Sequence, residues 1–412
     1  MRQQRWAGLD GLRAVAIVAV LGTHFGFLGP IAVIGVDLFF VISGFLITSL
    51  LLRERDSTGS LAVGAFWTRR ALRLLPALAC AMVFAGVVAL MATPALRHQT
   101  ITGLPWVTFY LGNWHMAAQG GQGLGLLAHT WSLSIEEQFY LLWPLIVTLV
   151  AYRTIRSRYA MAIVLGVLAV ADMAYFLWAM NHWSGAYYRT DTHAMGLLAG
   201  CALAFLVNHD GRVLVLDGDW ARRAQMAATA ALVIFAVLCI SQRGRSIMMV
   251  GGTLASLVLV TGIVLVPTGT LTRLLSNRGP VWIGRRSYGI YLYHFPLVLV
   301  FAQSHLFHGI EHTGVVAICI AASFLLAAAS YQWVELPFLR RKPRAANGSK
   351  TAMSPVPDSR AVSRRIRPAA SRRPSDSQSA LPDYCASPDL RVRRGSLRDA
   401  SHGDASARRV LR

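Results

Sequence analysis

The sequence is poor in charged residues and almost free of lysine. Charged residues make up 14% of the 412 positions and hydrophobic residues 55%, and this balance excludes an ordinary soluble globular protein. Lysine occurs only at Lys342 and Lys350, so arginine carries the positive charge. The net charge of +21 fits the arginine bias of cytoplasmic membrane loops together with a basic tail, and we expect no nucleic-acid partner from it.

Cysteine is also scarce, and its spacing lacks the patterns of metal-binding proteins. The five cysteines include no Cys-x-x-Cys pair, and four of them fall in or at the edges of apolar runs. We therefore expect buried, reduced thiols, with neither a disulfide framework nor a metal site.

Long apolar runs, by contrast, recur along the chain and predict membrane-spanning helices. We expect an all-α, polytopic bundle of about ten transmembrane helices. Their approximate spans are 10–29, 33–52, 74–93, 134–152, 160–180, 193–208, 225–241, 248–266, 286–305 and 313–334. No small-residue cleavage site follows the first run and a second begins at once, so we expect a retained helix rather than a signal peptide.

The distribution of arginine predicts the orientation in the membrane. An even number of helices places both termini on one side, and most loop arginines fall in segments on that side. The opposite side holds only Arg97, Arg189, Arg243 and Arg245. By the positive-inside rule both termini are expected in the cytoplasm, in a multi-pass protein of the cytoplasmic (inner) membrane.

The composition changes sharply near Pro343, to Ser, Pro, Arg, Ala and Asp with almost no aromatic residues. Such a segment cannot bury a core. We therefore predict a transmembrane domain over residues 1–342 and a disordered, basic cytoplasmic tail over residues 343–412.

The first predicted helix carries two ionisable residues on one face. Arg13 and His24 are eleven residues apart, almost three helical turns or about 16 Å. Ionisable residues in membrane helices usually face a partner or a water-filled cavity, although His24 could equally be a hydrogen-bonded packing residue. Asp37, near the outer start of the second span, is expected at the depth of His24. Its carboxylate would hold one imidazole tautomer, cap its own helix, or do both.

Arg70 and Arg73 lie just before the third span and are neighbours if that segment is helical. Guanidinium groups match phosphate oxygens, so this pair could bind an anion. The alternative is that both arginines only anchor the helix at the membrane surface.

Residues 94–133 form the longest outer segment, with a helix expected near 101–114 and a possible role as a lid or an acceptor surface. The fourth span then begins at Glu136 and Glu137. Glu136 recurs with Tyr140 and Trp143 at helical spacing, which predicts an inward face. Capping of the helix N-terminus is the alternative role for these carboxylates.

Polar residues also mark the later spans. Arg189 and Asp191 lie at the outer mouth of the sixth, where they would bind a polar acceptor or form a local ion pair. In the ninth, Ser287, Tyr291 and His294 share one face. His294 is thus a second intramembrane histidine and a rival to His24.

Six segments in this order resemble the acyltransferase-3 family of integral membrane O-acyltransferases, over about residues 6–342. They are LDGLRAVAIVAVLGTHFGF, GVDLFFVISGFLI, FWTRRALRLLPA, TWSLSIEEQFYLLWP, SYGIYLYHFP and WVELPF. The resemblance implies enzymes that move an acyl group, usually acetyl, from cytoplasmic acyl-CoA to a hydroxyl, usually of a sugar. Acyl-CoA would be a co-substrate, with no tightly bound cofactor. Some members carry a fused SGNH-type domain, which we do not find in this tail.

The family's residues transfer onto this chain position by position. Its essential histidine of the first helix corresponds to His24 and the paired arginine to Arg13, while its Arg-x-x-Arg motif corresponds to Arg70 and Arg73. Glu136 corresponds to the glutamate of the Trp-Ser-Leu motif, and Asp37 to an acidic position before Phe-Phe-Val.

Chemistry supports the same assignment. A hydroxyl needs a base to take its proton before it attacks a thioester, and a histidine suits that task. We expect His24 to be this base and Asp37 or Glu136 to orient it. Arg70 and Arg73 would hold the CoA phosphates, with Arg13 along the route between them.

Supporting or acceptor-binding roles are expected for the remaining candidates, Tyr140, Arg189, Tyr291 and His294. A covalent intermediate on Ser43 is an alternative to direct transfer. A transporter of a small polar or acylated solute would also have many helices and buried ionisable residues, and a catalytically silent sensor or scaffold is a third class.

Overall fold

The structure is a computed structural model that describes residues 2–29, 34–153, 157–209, 212–241, 245–301 and 312–340. The predicted boundary between residues 342 and 343, and the tail beyond it, lie outside these ranges. The proposed division into a membrane domain and a disordered tail therefore stays a prediction.

The described residues are almost entirely helical. The first seven helices are α1 Arg2–His24, α2 Ile34–Thr58, α3 Val63–Ala89, α4 Pro94–Thr108, α5 Gly112–Ala118, α6 Trp131–Arg153 and α7 Arg158–Ala179. The next seven are α8 Met195–Val207, α9 Gly218–Ile240, α10 Arg245–Leu265, α11 Thr270–Leu275, α12 Arg278–Phe301, α13 His312–Ser330 and α14 Leu336–Arg340. A π-helical turn, Tyr331–Glu335, joins the last two, and the two-residue strands β1 Asn208–His209 and β2 Arg212–Val213 pair antiparallel.

Seven stretches of the described residues are long and apolar enough to cross a membrane. They are residues 7–24 of α1, all of α2, α3, α7 and α9, residues 246–265 of α10, and 313–340. The other three predicted spans coincide in position with α6, α8 and α12, of which α8 is a shorter apolar helix. The prediction of an all-α, polytopic membrane protein is confirmed.

Helix α1 lies inside the bundle, in contact with α2, α10, α11 and α12. Its side chains Leu12, Ala16 and Ile17 are fully buried. At Gly284 of α12 an added Cβ would lie 1.7 Å from the carbonyl oxygen of Asp10, so the two backbones touch. Two ionisable residues of this helix, Arg13 and His24, are half-buried.

Helices α2 and α8 also pack backbone to backbone. A Cβ on Gly44 would lie 2.1 Å from the carbonyl oxygen of Leu197, and one on Gly200 would lie 2.2 Å from that of Val41. Small residues allow this approach between membrane helices. The contact fixes the start of α8 against the start of α2.

The long segment after α3 folds back over one end of the bundle. The expected helix near residues 101–114 is interrupted, because α4 ends at Thr108 and α5 begins at Gly112, with Tyr110 between them at φ +54°. Gly121 and Gly123 then adopt φ values of +95° and +101°, which glycine reaches without strain. This turn brings the segment back to the start of α6.

Candidate active site

Two histidines from different helices form a hydrogen-bonded pair. Nδ1 of His24, the last residue of α1, lies 2.8 Å from Nε2 of His294 in α12. The rings are stacked, with centroids 5.0 Å apart and planes 23° apart. Nδ1 of His294 lies 2.7 Å from the carbonyl oxygen of Tyr291 and 3.2 Å from that of Ile290. His294 is fully buried, whereas His24 is half-buried.

A third histidine completes the cluster. The His129 ring lies 5.4 Å from that of His294 and 4.9 Å from that of Phe295, between centroids. Burial, and then the nearby His24, lower the pKa of His129 to about 3, so this ring is neutral at pH 7. Sequence reasoning assigned no role to His129, which lies in the long outer segment. Its position just before the Trp-Ser-Leu motif was the available signal.

His24 and His129 line a cavity of about 500 Å³, here called the histidine cavity. Aromatic side chains form part of its wall. They include Trp131, Tyr187, Tyr188 and Phe295. The segments before α6 and before α8 supply most of this wall, so both fold over the end of α1.

A smaller cavity of about 40 Å³, here called the arginine cavity, lies beside Arg13. Arg13 Nε donates a hydrogen bond to Ser287 Oγ at 3.2 Å, and Glu136 lines the same space. Val36 and Tyr291 line both cavities. The two cavities are therefore adjacent.

Glu136 is the end of a short hydrogen-bonded chain. The Tyr140 hydroxyl donates to Ser43 Oγ at 3.0 Å, and Ser43 donates to Glu136 Oε1 at 2.7 Å. Tyr140 and Trp143 are buried, as the predicted inward face of α6 requires. Glu136 thus points to the arginine cavity, where it accepts a hydrogen bond from Ser43 rather than contacting His24.

The arginines of α3 lie next to this chain. The Arg70 guanidinium stacks 4.5 Å from the centre of the Tyr140 ring, and Arg73 interacts electrostatically with Arg13 and Glu335. Both side chains are half-buried. The anion site and the membrane anchor both stay open as roles for this pair.

Asp37 does not contact His24, contrary to expectation. Its Oδ1 lies 3.0 Å from Nε2 of His193, and both side chains are fully buried. The other ring nitrogen of His193 lies 2.9 Å from the carbonyl oxygen of Tyr187. Asp37 and the Tyr187 carbonyl thus hold the His193 ring between them. The position of Asp37 one turn before Val41 places it on the α8 side of α2.

Arg189 forms the local ion pair that was one of its two expected roles. Its Nε and one terminal nitrogen lie 2.9 and 2.6 Å from the Asp191 carboxylate oxygens. Its guanidinium lies about 5 Å from the rings of Trp114 and Trp183. These contacts stabilise the segment that covers the histidine cavity.

The structure therefore brings His24 and Tyr291 together at one cavity, with His294 behind His24. Arg13 and Glu136 lie at the other cavity, with Arg70 and Tyr140 behind them. Asp37 and Arg189 belong to separate contacts. Within the described ranges, no group of three or more His, Cys, Asp or Glu side chains is arranged to hold a metal ion.

Comparison with known proteins gives a family and several named relatives. A family model described as an acyltransferase domain, acyltransferase 3, matches residues 6–332. The peptidoglycan O-acetyltransferase OatA of Listeria monocytogenes is 33% identical over 354 residues, 80% of this chain and 55% of the relative. The O-acetyltransferase OatA of Staphylococcus aureus strain NCTC 8325 is 32% identical over 371 residues, 81% of this chain and 57% of the relative.

A putative O-acetyltransferase of Staphylococcus aureus strain COL is 33% identical over 372 residues, 82% of this chain and 58% of the relative. The chain thus spans a little over half the length of the curated relatives it matches. No solved structure matches this chain.

Proposed function

Because the chain belongs to the acyltransferase-3 family and is an acyltransferase, we propose that it moves an acetyl group from cytoplasmic acyl-CoA to a hydroxyl. The proposed acceptor is a glycan or glycoside at the opposite face of the membrane. The histidine cavity carries this proposal, because it places a half-buried imidazole against a space that can hold a substrate. A cavity of about 500 Å³ is within the range of small-molecule sites.

The donor side of the proposal rests on the arginines near the arginine cavity. Arg70 and Arg73 would hold the CoA phosphates, which guanidinium groups bind through charge-assisted hydrogen bonds. Arg13 lies between that pair and the histidine cavity. The thioester would pass the side chains of Val36 and Tyr291, because these line both cavities.

In the proposed reaction the acceptor hydroxyl oxygen attacks the thioester carbonyl carbon while His24 takes the hydroxyl proton. The ester C–O bond forms, and the C–S bond breaks with its electron pair on sulfur. The proton held by His24 then neutralises the CoA thiolate. The products are an acetyl ester and the free CoA thiol.

The acceptor side of the proposal rests on the aromatic wall. Aromatic side chains with polar tips present both an apolar face and a hydrogen-bonding group, which suits the apolar face and the hydroxyls of a sugar ring. The relative from Listeria monocytogenes is named for peptidoglycan, and a polymeric or lipid-linked glycan is the class we propose here.

The test compares surface glycans from cells that lack the protein and are complemented with three versions of it. Wild type should restore an alkali-labile acetate ester in the glycan fraction, and His24→Ala should reduce it to the background. His98→Ala, an exposed histidine on α4, is the matched control and should restore it. Immunoblots of the membrane fraction check that all three are present at equal levels.

Purified protein in detergent separates transfer from transport. With acetyl-CoA and an oligosaccharide of N-acetylglucosamine, an acyltransferase releases free thiol in step with ester formation, and a transporter releases none. An ester content that is unchanged by His24→Ala in cells would contradict the assignment of the base.

A further inference from the structure

The hydrogen bonds of His294 determine which of its nitrogens carries a proton. A carbonyl oxygen only accepts hydrogen bonds. Nδ1 of His294 must therefore donate to Tyr291, whose carbonyl oxygen lies 2.7 Å away on the preceding turn of the same helix. In a neutral imidazole the other nitrogen then has no proton and is an acceptor. Nε2 of His294 is thus an acceptor aimed at His24.

The same reasoning extends to His24. Its Nδ1 lies 2.8 Å from the accepting Nε2 of His294, so Nδ1 carries the proton in that hydrogen bond. Nε2 of His24 is then the nitrogen with the free lone pair. A general base needs a lone pair at the nitrogen that meets the substrate.

We propose that His294 is a positioning residue that holds His24 in the Nδ1–H tautomer and leaves Nε2 as the base. This inference rests on the proposed function, because it assigns a partner to the base. In serine hydrolases a carboxylate orients the histidine. Here the Asp37 carboxylate is bound to His193 instead, and a neutral imidazole takes that place.

His294 is poorly placed to be the base itself. One of its nitrogens faces backbone carbonyls and the other faces His24. Its side chain is fully buried, and His24 rather than His294 lines the histidine cavity. The two intramembrane histidines therefore have different roles, one at the substrate and one behind it.

A backbone acceptor also makes the arrangement independent of any acidic group. The Tyr291 carbonyl cannot be protonated in the working pH range, so α12 itself fixes the proton on Nδ1 of His294. The other rings beside His294 belong to His129, Tyr291 and Phe295, and His129 is neutral at pH 7.

The kinetic test uses two replacements at position 294. His294→Phe keeps a ring but removes the acceptor, and kcat should fall by about 10²–10⁴-fold, the usual contribution of a positioned base. The KM for acetyl-CoA should stay within about twofold, because the arginines are untouched. The amide oxygen introduced by His294→Gln can accept a hydrogen bond from His24 Nδ1–H. The kcat of His294→Gln should therefore be at least tenfold higher than that of His294→Phe. His98→Gln is the control for histidine replacement at an exposed site.

The spectroscopic test reads the tautomer directly. In wild-type protein labelled with ¹⁵N-histidine, the His24 signals are assigned by their absence in His24→Ala. Nδ1 should be protonated and Nε2 unprotonated, and His294→Phe should populate both tautomers. This measurement on the wild type decides the proposal even if both replacements at position 294 prevent folding.

An unprotonated Nδ1 at His24 would overturn the proposal, as would a kcat for folded His294→Phe within twofold of wild type. Failure of the proposed function looks different. In that case wild type would release no thiol from acetyl-CoA, or His24→Ala would still transfer acetyl groups, while the tautomer of His24 would be as described.

Discussion

His24 differs from the other two histidines of its cluster because it both lines the histidine cavity and has a ring hydrogen-bonded to another imidazole. His294 is fully buried behind it, and His129 packs against the same aromatic residue, Phe295. Ionisable residues inside membrane proteins generally have partners. At this site the partners are rings and backbone carbonyls, so the cluster can be neutral as a whole.

Predictions about single residues succeeded where they depended only on the periodicity of one helix. They failed where they depended on how two helices pack against each other. The inward face of α6 through Tyr140 and Trp143 follows from helical periodicity alone. The partner of Asp37 does not follow from periodicity. The sequence predicts how deep Asp37 lies in the membrane, but it does not predict the rotation of α2 about its own axis. His24 and His294 were treated as rivals for the same reason, although they form one pair.

Arg73 provides a test of the donor site at this scale. If it binds a CoA phosphate, Arg73→Ala should raise the KM for acetyl-CoA about 10- to 100-fold, the range of a lost charge-assisted hydrogen bond. Wild type should also prefer acetyl-CoA over its 3′-dephospho form, and the variant should lose part of that preference.

Arg69→Ala is the matched control, since Arg69 is paired with Glu54 at 3.2 Å near the surface and such pairs contribute little. Steady-state kinetics with both donors measure the effect. An equal KM in wild type and Arg73→Ala would assign Arg73 to anchoring instead.

At the scale of elements, the ten predicted spans coincide with ten helices because long apolar runs are a strong signal. The sequence predicted helix positions less well in the segment between α3 and α6. There the helix ends at Thr108 and restarts at Gly112, through a positive φ at Tyr110 that its residue type does not favour. The way this segment folds over α1 depends on packing, which local patterns do not contain.

The contact between α2 and α8 yields a prediction at this scale. Gly200→Ala places a methyl group 2.2 Å from the Val41 carbonyl oxygen, and the two helices must move apart. We expect a loss of about 1–3 kcal/mol in stability, as for other overpacked sites, and a weakened pair between Asp37 and His193.

The control is Gly86→Ala in α3, where an added Cβ meets nothing within 4 Å. This replacement should be neutral or stabilise by up to about 1 kcal/mol, because alanine favours helix. Thermal unfolding of both variants in detergent measures the difference. Equal melting temperatures for Gly200→Ala and wild type would show that the helices can separate at no cost.

At the scale of the whole molecule, the described helices form a membrane bundle. The basic residues of α3 and the histidine cavity lie at different depths along it. Arg13 and His24 mark those depths on α1, and their contacts with Ser287 and His294 mark the same depths on α12. Two helices running side by side thus connect the proposed donor site to the proposed acceptor site.

The predicted orientation can be tested on the intact protein. The test uses a version without native cysteines. Asn181→Cys places a single exposed thiol just after the C-terminal end of α7, and Ser57→Cys places one near the C-terminal end of α2. A membrane-impermeant maleimide added to cells with a permeable outer barrier should label Asn181→Cys. It should label Ser57→Cys only after the inner membrane is opened. The reverse pattern would place the arginine cavity outside the cell.

Val36 and Tyr291, which line both cavities, have one more consequence. If the reaction runs as proposed, the nucleotide part of the donor never leaves the cell and only its thioester end passes these side chains. The bulky, charged part of the donor then has no need to cross the bilayer during a turnover. Such an enzyme would export a chemical group without exporting the molecule that carries it.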